Sequence, residues 1–340
     1  MKTGLHEIAL RVVDGGRGIL AADETPSTLT KRFSAHGIVS TPETRRDYRE
    51  MFFTTPGIGE FIGGVILQDE TIRQRSQQGR PLIDIVNDQG MVPGIKVDLG
   101  AHPLAGAPGE VVTEGLDGLR DRLAEYREMG ARFAKWRAVI SIGEGRPSAT
   151  CILANAEALA RYAMLCQEQA LVPIVEPEVL MTGAHTLSHC EEVTCSVLET
   201  VFDALYEHGV ELEGMLLKPN MVVPGRDSPR PATVQEVAAA TLRALERHVP
   251  PAVPAIVFLS GGQDHVRATE HLCAINKHPG PKPWVLSFSY GRALQDEAME
   301  AWQGQPEEIR DGQRAFYRRA KCDWAAALGK YQPAMEREAA

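Results

Sequence analysis

Residues 214–220 read Gly-Met-Leu-Leu-Lys-Pro-Asn: an apolar run, a lysine, and a proline that stops it. The run has the make-up of an interior strand, and strand residues two apart share a face. If Leu216 points into a core, Lys218 points the same way. A lysine sent inward at a strand end is costly unless something uses it. The bland alternative is a side chain that snorkels out to water at the strand tip. What surrounds this strand in the rest of the chain decides between the two.

Outward from GMLLKPN, the same structural phrase recurs. Short apolar runs that read as buried strands lie at Gly18 to Ala22, Gly63 to Leu67, Val92 to Val97, Phe133 to Arg137, Val172 to Val175, Met215 to Leu217, Ala255 to Leu259 and Val285 to Phe288. Between them lie stretches with helical spacing, such as Thr150 to Gln169 and Val234 to Arg247. Strands separated by helices pair in parallel, because each return to the same edge needs a long crossover. Eight such units in roughly 300 residues predict an α/β fold of one kind, a (β/α)8 TIM barrel, rather than two doubly wound domains. With no Gly/Ser-rich linker and no step in composition, residues 1–340 read as a single barrel domain, with a short C-terminal tail from about 325.

Composition narrows the function. At 44% hydrophobic and 24% charged residues the chain suits a soluble globular protein, and a formal charge of −9 argues against a general nucleic-acid role. Local basic pockets for anions stay open. No run reaches membrane-spanning length, and charges break the apolar residues of the N-terminal MKTGLHEIALRVVDGG too often for a signal peptide. The reading is cytoplasmic, with no membrane partner. Cysteines 151, 166, 190, 195, 273 and 322 form no CxxC pair, so in a reducing compartment they read as unpaired packing residues.

The strand ends carry the chemistry. In a barrel of this kind the site is built at the C-terminal ends of the strands. Those ends read LAAD to Asp23, GIKVD with Lys96 and Asp98, FAKWR with Lys135 and Arg137, IVEPE with Glu176 and Glu178, and LLKP with Lys218. Each pair is spaced i, i+2, so both members can face the barrel mouth. One charge at a strand end is ordinarily a solvated loop residue; charges at five of these ends are not accounted for that way. The second strand is the exception: its Gln68, Asp69 and Glu70 read as a solvated loop. The last two strands end in Ser260-Gly261-Gly262 and Ser289-Tyr290-Gly291-Arg292. Glycine lets backbone N–H groups converge on an anion, the next helix adds its positive end, and Arg292 can add a two-pronged contact. Loops in these positions commonly hold phosphate in barrels.

A lysine among cations and carboxylates beside a phosphate pocket suits one reaction. Nearby positive charge and desolvation, which Lys135 and Arg137 could supply, lower an amine's pKa and expose its lone pair. Such an amine attacks a ketone to give an imine, whose iminium form accepts electrons when a neighbouring carbon–carbon bond breaks. Building and hydrolysing the imine needs a proton carrier, for which Glu176 is the candidate, with Asp23 the second carboxylate across the mouth.

The motifs AADE (21–24), GIKVD (94–98), FAKWR (133–137), IVEPE (174–178), LLKPNM (216–221), FLSGGQ (258–263), AINK (274–277) and SFSYGRAL (287–294) together resemble class I fructose-bisphosphate aldolase, in order from about Gly18 to Trp324. The resemblance implies Lys218 as the Schiff-base lysine and Glu176 as the main acid/base. It makes Asp23 and Lys135 helpers of carbinolamine formation and C–C cleavage, with Glu178 a neighbouring support. Arg32, Ser260, Gly261, Gly291 and Arg292 fall on the family's positions around one substrate phosphate, while Lys31, Lys96 and Arg137 match basic residues towards the other; Ser289 is a further phosphate-binding candidate from its place in the loop after the last strand. It further implies reversible cleavage of fructose 1,6-bisphosphate to dihydroxyacetone phosphate and glyceraldehyde 3-phosphate, a glycolytic lyase reaction run without metal or other cofactor. The usual form of such an enzyme is a cytosolic homotetramer.

Two departures stand out. Family members often carry Ser and Gly after AADE, whereas this chain has Thr25-Pro26-Ser27-Thr28; hydroxyls at 25 and 28 could still bind phosphate, but Pro26 stiffens the loop. Animal relatives end in a tyrosine that assists proton exchange at the enamine carbon. Here the last residues are Glu-Ala-Ala and the last tyrosine is Tyr331, so another group or water is expected to deliver that proton. Three rival readings remain. His185, His189 and Glu192, spaced i, i+4, i+7, could line a helix face and bind zinc for a metal-dependent cleavage. The chain could be another Schiff-base sugar-phosphate lyase, or a non-catalytic aldolase-like binding protein, although none of Asp23, Lys135, Glu176 and Lys218 has been lost.

Overall fold

Residues 2–338 are described in this computed structural model. The eight expected runs form strands β1 (Gly18–Ala21), β2 (Ile62–Leu67), β3 (Val92–Lys96), β4 (Phe133–Ile140), β5 (Val172–Val179), β6 (Leu216–Leu217), β7 (Ala255–Phe258) and β8 (Val285–Tyr290). Every neighbouring pair is parallel, and β8 returns to β1, which closes the barrel. Helices fill the crossovers, among them Ala149–Glu168 and Val234–His248, within a residue or two of their expected limits. An antiparallel hairpin, Ala101–Pro103 against Val111–Thr113, follows β3 and was not expected.

Strands β4 and β5 run further than the apolar runs suggested, through Arg137 to Ile140 and through Glu176 to Val179. The reason is two-faced burial. Along β4, Ala134, Trp136, Ala138 and Ile140 pack under the helices, while Lys135, Arg137 and Val139 alternate with them and line a cavity at the mouth. Charges inside these strands therefore mark a functional face rather than a strand end.

The other end of the barrel is sealed. The helix Lys2–Val13 lays Leu5, Ala9, Val12 and Val13 across the base, against an inner cluster that includes Phe133, Ile174 and Leu216. Two glycines make that seal possible: a Cβ at Gly94 would overlap the Phe133 ring, and one at Gly63 would overlap the carbonyl oxygen of Val12. With the base closed by apolar packing, the open end is left for polar chemistry. Beyond β8 the chain forms a long helix, Ile309–Ala327, and then folds back as the turn Pro333–Arg337. The expected tail from 325 thus begins as helix and continues as packed structure: Glu336 meets Arg319 at 2.5 Å and accepts from the Tyr331 hydroxyl at 2.8 Å. No helix among the described residues is long and apolar enough to cross a membrane.

Candidate active site

A cavity of about 660 Å³ opens at the C-terminal ends of the strands. Its centre is set by register: Lys96 on β3 sits opposite Lys135 on β4, and Arg137 on β4 opposite Glu176 on β5. Directly after β6 comes Lys218, whose backbone N–H donates to the Val175 carbonyl at 2.8 Å. The lysine therefore points inward beside Glu176 and does not snorkel: it is 4% exposed. Its Nζ lies 3.2 Å from Glu176 Oε1. The other oxygen of Glu176 lies 3.3 Å from Lys135 Nζ, and Lys135 in turn sits 2.6 Å from Asp23 Oδ2. The four groups form one chain of alternating charge, Lys218–Glu176–Lys135–Asp23, across the cavity floor.

Burial and pairing set the protonation of this chain. Burial alone would raise the Asp23 carboxyl, but Lys135, helped by Lys218, outweighs it and holds the value at about 2. Glu176 shows the same balance: burial works against its carboxylate, Lys135 and Lys218 work for it, and the pKa is lowered. Lys135 loses by burial and gains more from Asp23 and Glu176, so its pKa is raised and it stays an ammonium. Glu176 thus stands as a base at rest. Its Oε2 makes no hydrogen bond and meets Lys135 only as an ion pair at 3.3 Å, which leaves a lone pair open to a proton.

Around this floor stand most of the other expected residues. Arg137 is ion-paired with Glu178, and Lys96 with Asp98 at 2.6 Å. Thr25 caps the helix Pro26–Ala35 by accepting from the Thr28 N–H, so both hydroxyls sit at a helix N-terminus on the cavity wall. Gly261 and Gly262 adopt φ of 62° and 83°, the left-handed region that lets the loop after β7 curl. Ser260 and Ser289 line the same wall, and the Ser289 hydroxyl is buried without a partner. Gly291 is the N-cap of the helix that begins at Arg292.

Several residues depart from expectation. Lys31 lies outside the cavity lining and is exposed, since a helix turns by about 100° per residue and Arg32 takes the inward position. Arg32 does line the cavity, but Glu24 and Asp296 hold it, the latter at 2.8 Å. Gln68, Asp69 and Glu70 are no solvated loop: Gln68 caps the helix Asp69–Arg73, and Glu70 is paired with Arg45 and Arg49. The zinc-site spacing fails because His185 precedes the helix Leu187–Glu207, whose N-cap is Thr186. His189 pairs with Glu192 alone, and the described residues contain no cluster of three or more His, Cys, Asp or Glu placed to hold a metal ion. All six cysteines are free thiols. Sequence reasoning missed Arg226, which lines the cavity from the loop after β6; the signal was its place, because every loop following a barrel strand faces the mouth.

A closed parallel barrel with a buried, carboxylate-flanked lysine at its mouth defines a class, the barrel enzymes equipped for imine chemistry. The family model for class-I fructose-bisphosphate aldolase matches residues 4–340. A probable fructose-bisphosphate aldolase class 1 of Xylella fastidiosa is 54% identical over 329 residues, covering 96% of this chain and 98% of the relative. Human fructose-bisphosphate aldolase C is 51% identical over 332 residues, with 97% and 91% covered. A solved structure of fructose-bisphosphate aldolase from Plasmodium falciparum, in complex with TRAP and a small-molecule inhibitor, superposes with a TM-score of 0.96. It is 46% identical, with 97% of this chain and 96% of that one covered. The chain belongs to the class-I fructose-bisphosphate aldolase family.

Proposed function

We propose that this chain cleaves fructose 1,6-bisphosphate reversibly to dihydroxyacetone phosphate and glyceraldehyde 3-phosphate through an imine on Lys218. Glu176 takes the ammonium proton of Lys218, and the freed amine adds to the C2 carbonyl. The same carboxyl returns a proton to the carbinolamine hydroxyl, which leaves as water. Asp23 accepts the C4 hydroxyl proton as the C3–C4 bond breaks, and the electron pair of that bond moves into the iminium to give an enamine. Glyceraldehyde 3-phosphate departs. The proton taken up by Asp23 returns through water to C3 of the enamine, and water hydrolyses the imine to release dihydroxyacetone phosphate. Lys135 stays protonated throughout, stabilising the hydroxyl that adds and leaves and holding both carboxylates ionised in the resting site, ready to accept those protons. Every step runs on side chains and water, without metal.

The phosphate beside C2 suits the loops after β7 and β8, because β7 lies next to β6, the strand directly before Lys218. The far phosphate suits the opposite wall, with Thr25, Thr28, Lys96 and Arg137 as candidates. The observation that carries the reading is the buried chain Lys218–Glu176–Lys135–Asp23. Its test is borohydride reduction with dihydroxyacetone phosphate, followed by peptide mapping. Adduct on Lys218, absent from Lys218→Met together with all turnover, is expected; adduct elsewhere overturns the assignment. Membership of the family supports a cytoplasmic homotetramer, and elution as a monomer in size-exclusion chromatography would refute that part.

A further inference from the structure

Seven cationic side chains line the cavity: Arg32, Lys96, Lys135, Arg137, Lys218, Arg226 and Arg292. Five are neutralised. Arg32 meets Glu24 and Asp296, Lys96 meets Asp98, Lys135 meets Asp23 and Glu176, Arg137 meets Glu178, and Lys218 meets Glu176. Arg226 and Arg292 have no carboxylate partner among the described residues. These two guanidiniums come together at one glycine: a Cβ built on Gly262 would lie 3.1 Å from Nη2 of Arg226 and 3.4 Å from Nη2 of Arg292.

The position of Arg226 is not accidental to a floppy loop. Its backbone N–H donates to the Met181 carbonyl at 2.7 Å, and those of Gly225 and Asp227 donate to His185 and Gly183, both at 2.9 Å. Three bonds tie the loop after β6 to the loop after β5 and hold the arginine over the mouth. From there Nη2 donates to the Gly262 carbonyl at 3.2 Å, which uses one of its five N–H groups and leaves the charge without a counter-ion. The wall it faces holds Ser260 and the unpartnered hydroxyl of Ser289, donors that suit phosphate oxygens.

We propose that Arg226 is a substrate-binding residue that, with Arg292, grips the phosphate next to the imine carbon, so this chain holds that phosphate between two arginines from different loops. The proposal rests on the function proposed above and deepens it. The phosphate concerned is the one carried by dihydroxyacetone phosphate, since the loop after β7 abuts the Lys218 segment through the bond from the Leu259 N–H to the Pro219 carbonyl.

The test measures half-saturation by inorganic phosphate in calorimetry, and by dihydroxyacetone phosphate in borohydride trapping, for the wild type, Arg226→Lys, Arg226→Gln and Arg226→Ala. If the charge binds phosphate, Arg226→Gln and Arg226→Ala weaken both ligands about fivefold to tenfold, while Arg226→Lys stays within about twofold. KM for fructose 1,6-bisphosphate then rises by a similar factor, and kcat falls far less. Glutamine can still donate to Gly262, so an Arg226→Gln protein that binds like the wild type would mean the residue only positions the loop, and the proposal fails. It fails equally if Arg226→Ala binds phosphate normally. Absence of any adduct in the wild type would instead refute the imine reading, and the phosphate titration would still judge Arg226.

Discussion

Lys135 shows most plainly what one residue does here. Its ammonium stands between Asp23 and Glu176 and is the largest favourable influence on both carboxylates. Lys135→Met removes it at nearly constant volume. Both pKa values then rise, one carboxylate takes up a proton at higher pH, and the acid limb of the kcat/KM profile moves upward. We expect at least a hundredfold loss of kcat, about 2.7 kcal/mol, with that shift; a profile that drops uniformly without moving would contradict it. Asp23 makes a second, separate prediction. A folded pKa of about 2 against the ordinary 3.8 means the ionised form stabilises the fold, fully above about pH 4, and that this support is lost as pH falls towards 2. The shift is worth roughly 2 kcal/mol. Asp23→Asn lacks this dependence, so urea unfolding from pH 4 to pH 2 is expected to show a shallower fall in stability for the variant than for the wild type. Equal slopes would remove Asp23 from the account. The charge ladder was legible in the sequence at this scale, because i, i+2 spacing survives folding intact. The exposure of Lys31 and the engagement of Arg32 by Asp296 were not, since the second depends on a partner 264 positions away.

Among the elements, each barrel strand was visible as an apolar run, yet strand lengths were misjudged where a functional face interrupts the pattern. Trp136 and Ala138 were the clue in β4: they keep the outer face apolar while Lys135 and Arg137 look like a stop. The helix Lys2–Val13 went unread for a related reason. Glu7 and Arg11 are exposed, and Leu5, Ala9, Val12 and Val13, with Ile8 partly buried beside them, make the seal. That seal depends on close backbone approach at Gly63, where the nearest neighbour is the carbonyl oxygen of Val12, which cannot rotate aside as a side chain would. Gly63→Ala must lift the helix off the barrel base. The expected cost is about 2 kcal/mol or more in urea unfolding, at the upper part of the range for overpacked cores. Because the helix lies at the base and the chemistry at the mouth, the folded fraction should keep its KM. A variant as stable as the wild type would show that the helix does not seal the base as described.

Charge is distributed unevenly over the whole molecule. The chain carries −9 overall, yet the cavity is lined by seven cationic side chains against the five carboxylates of Asp23, Glu24, Asp98, Glu176 and Glu178. An anionic protein with a cationic mouth repels polyanions from most of its surface and draws them to one opening, and low-dielectric walls concentrate that field. Buried pairs such as Lys135–Asp23 are little affected by salt, because ions do not reach them. Arg226, exposed at the rim, is screened as soon as the Debye length falls towards about 10 Å. Ionic strength should therefore act on capture of the substrate and hardly on the bond-making steps. Raising sodium chloride from about 20 to about 200 mM is expected to increase KM for fructose 1,6-bisphosphate severalfold while kcat changes little. Fructose 1-phosphate, with one phosphate fewer, should show a weaker dependence in the same assay. If kcat fell with salt while KM held, or if the two ketoses responded alike, the mouth would not be collecting its substrate by charge, and the two unpaired arginines would need another explanation.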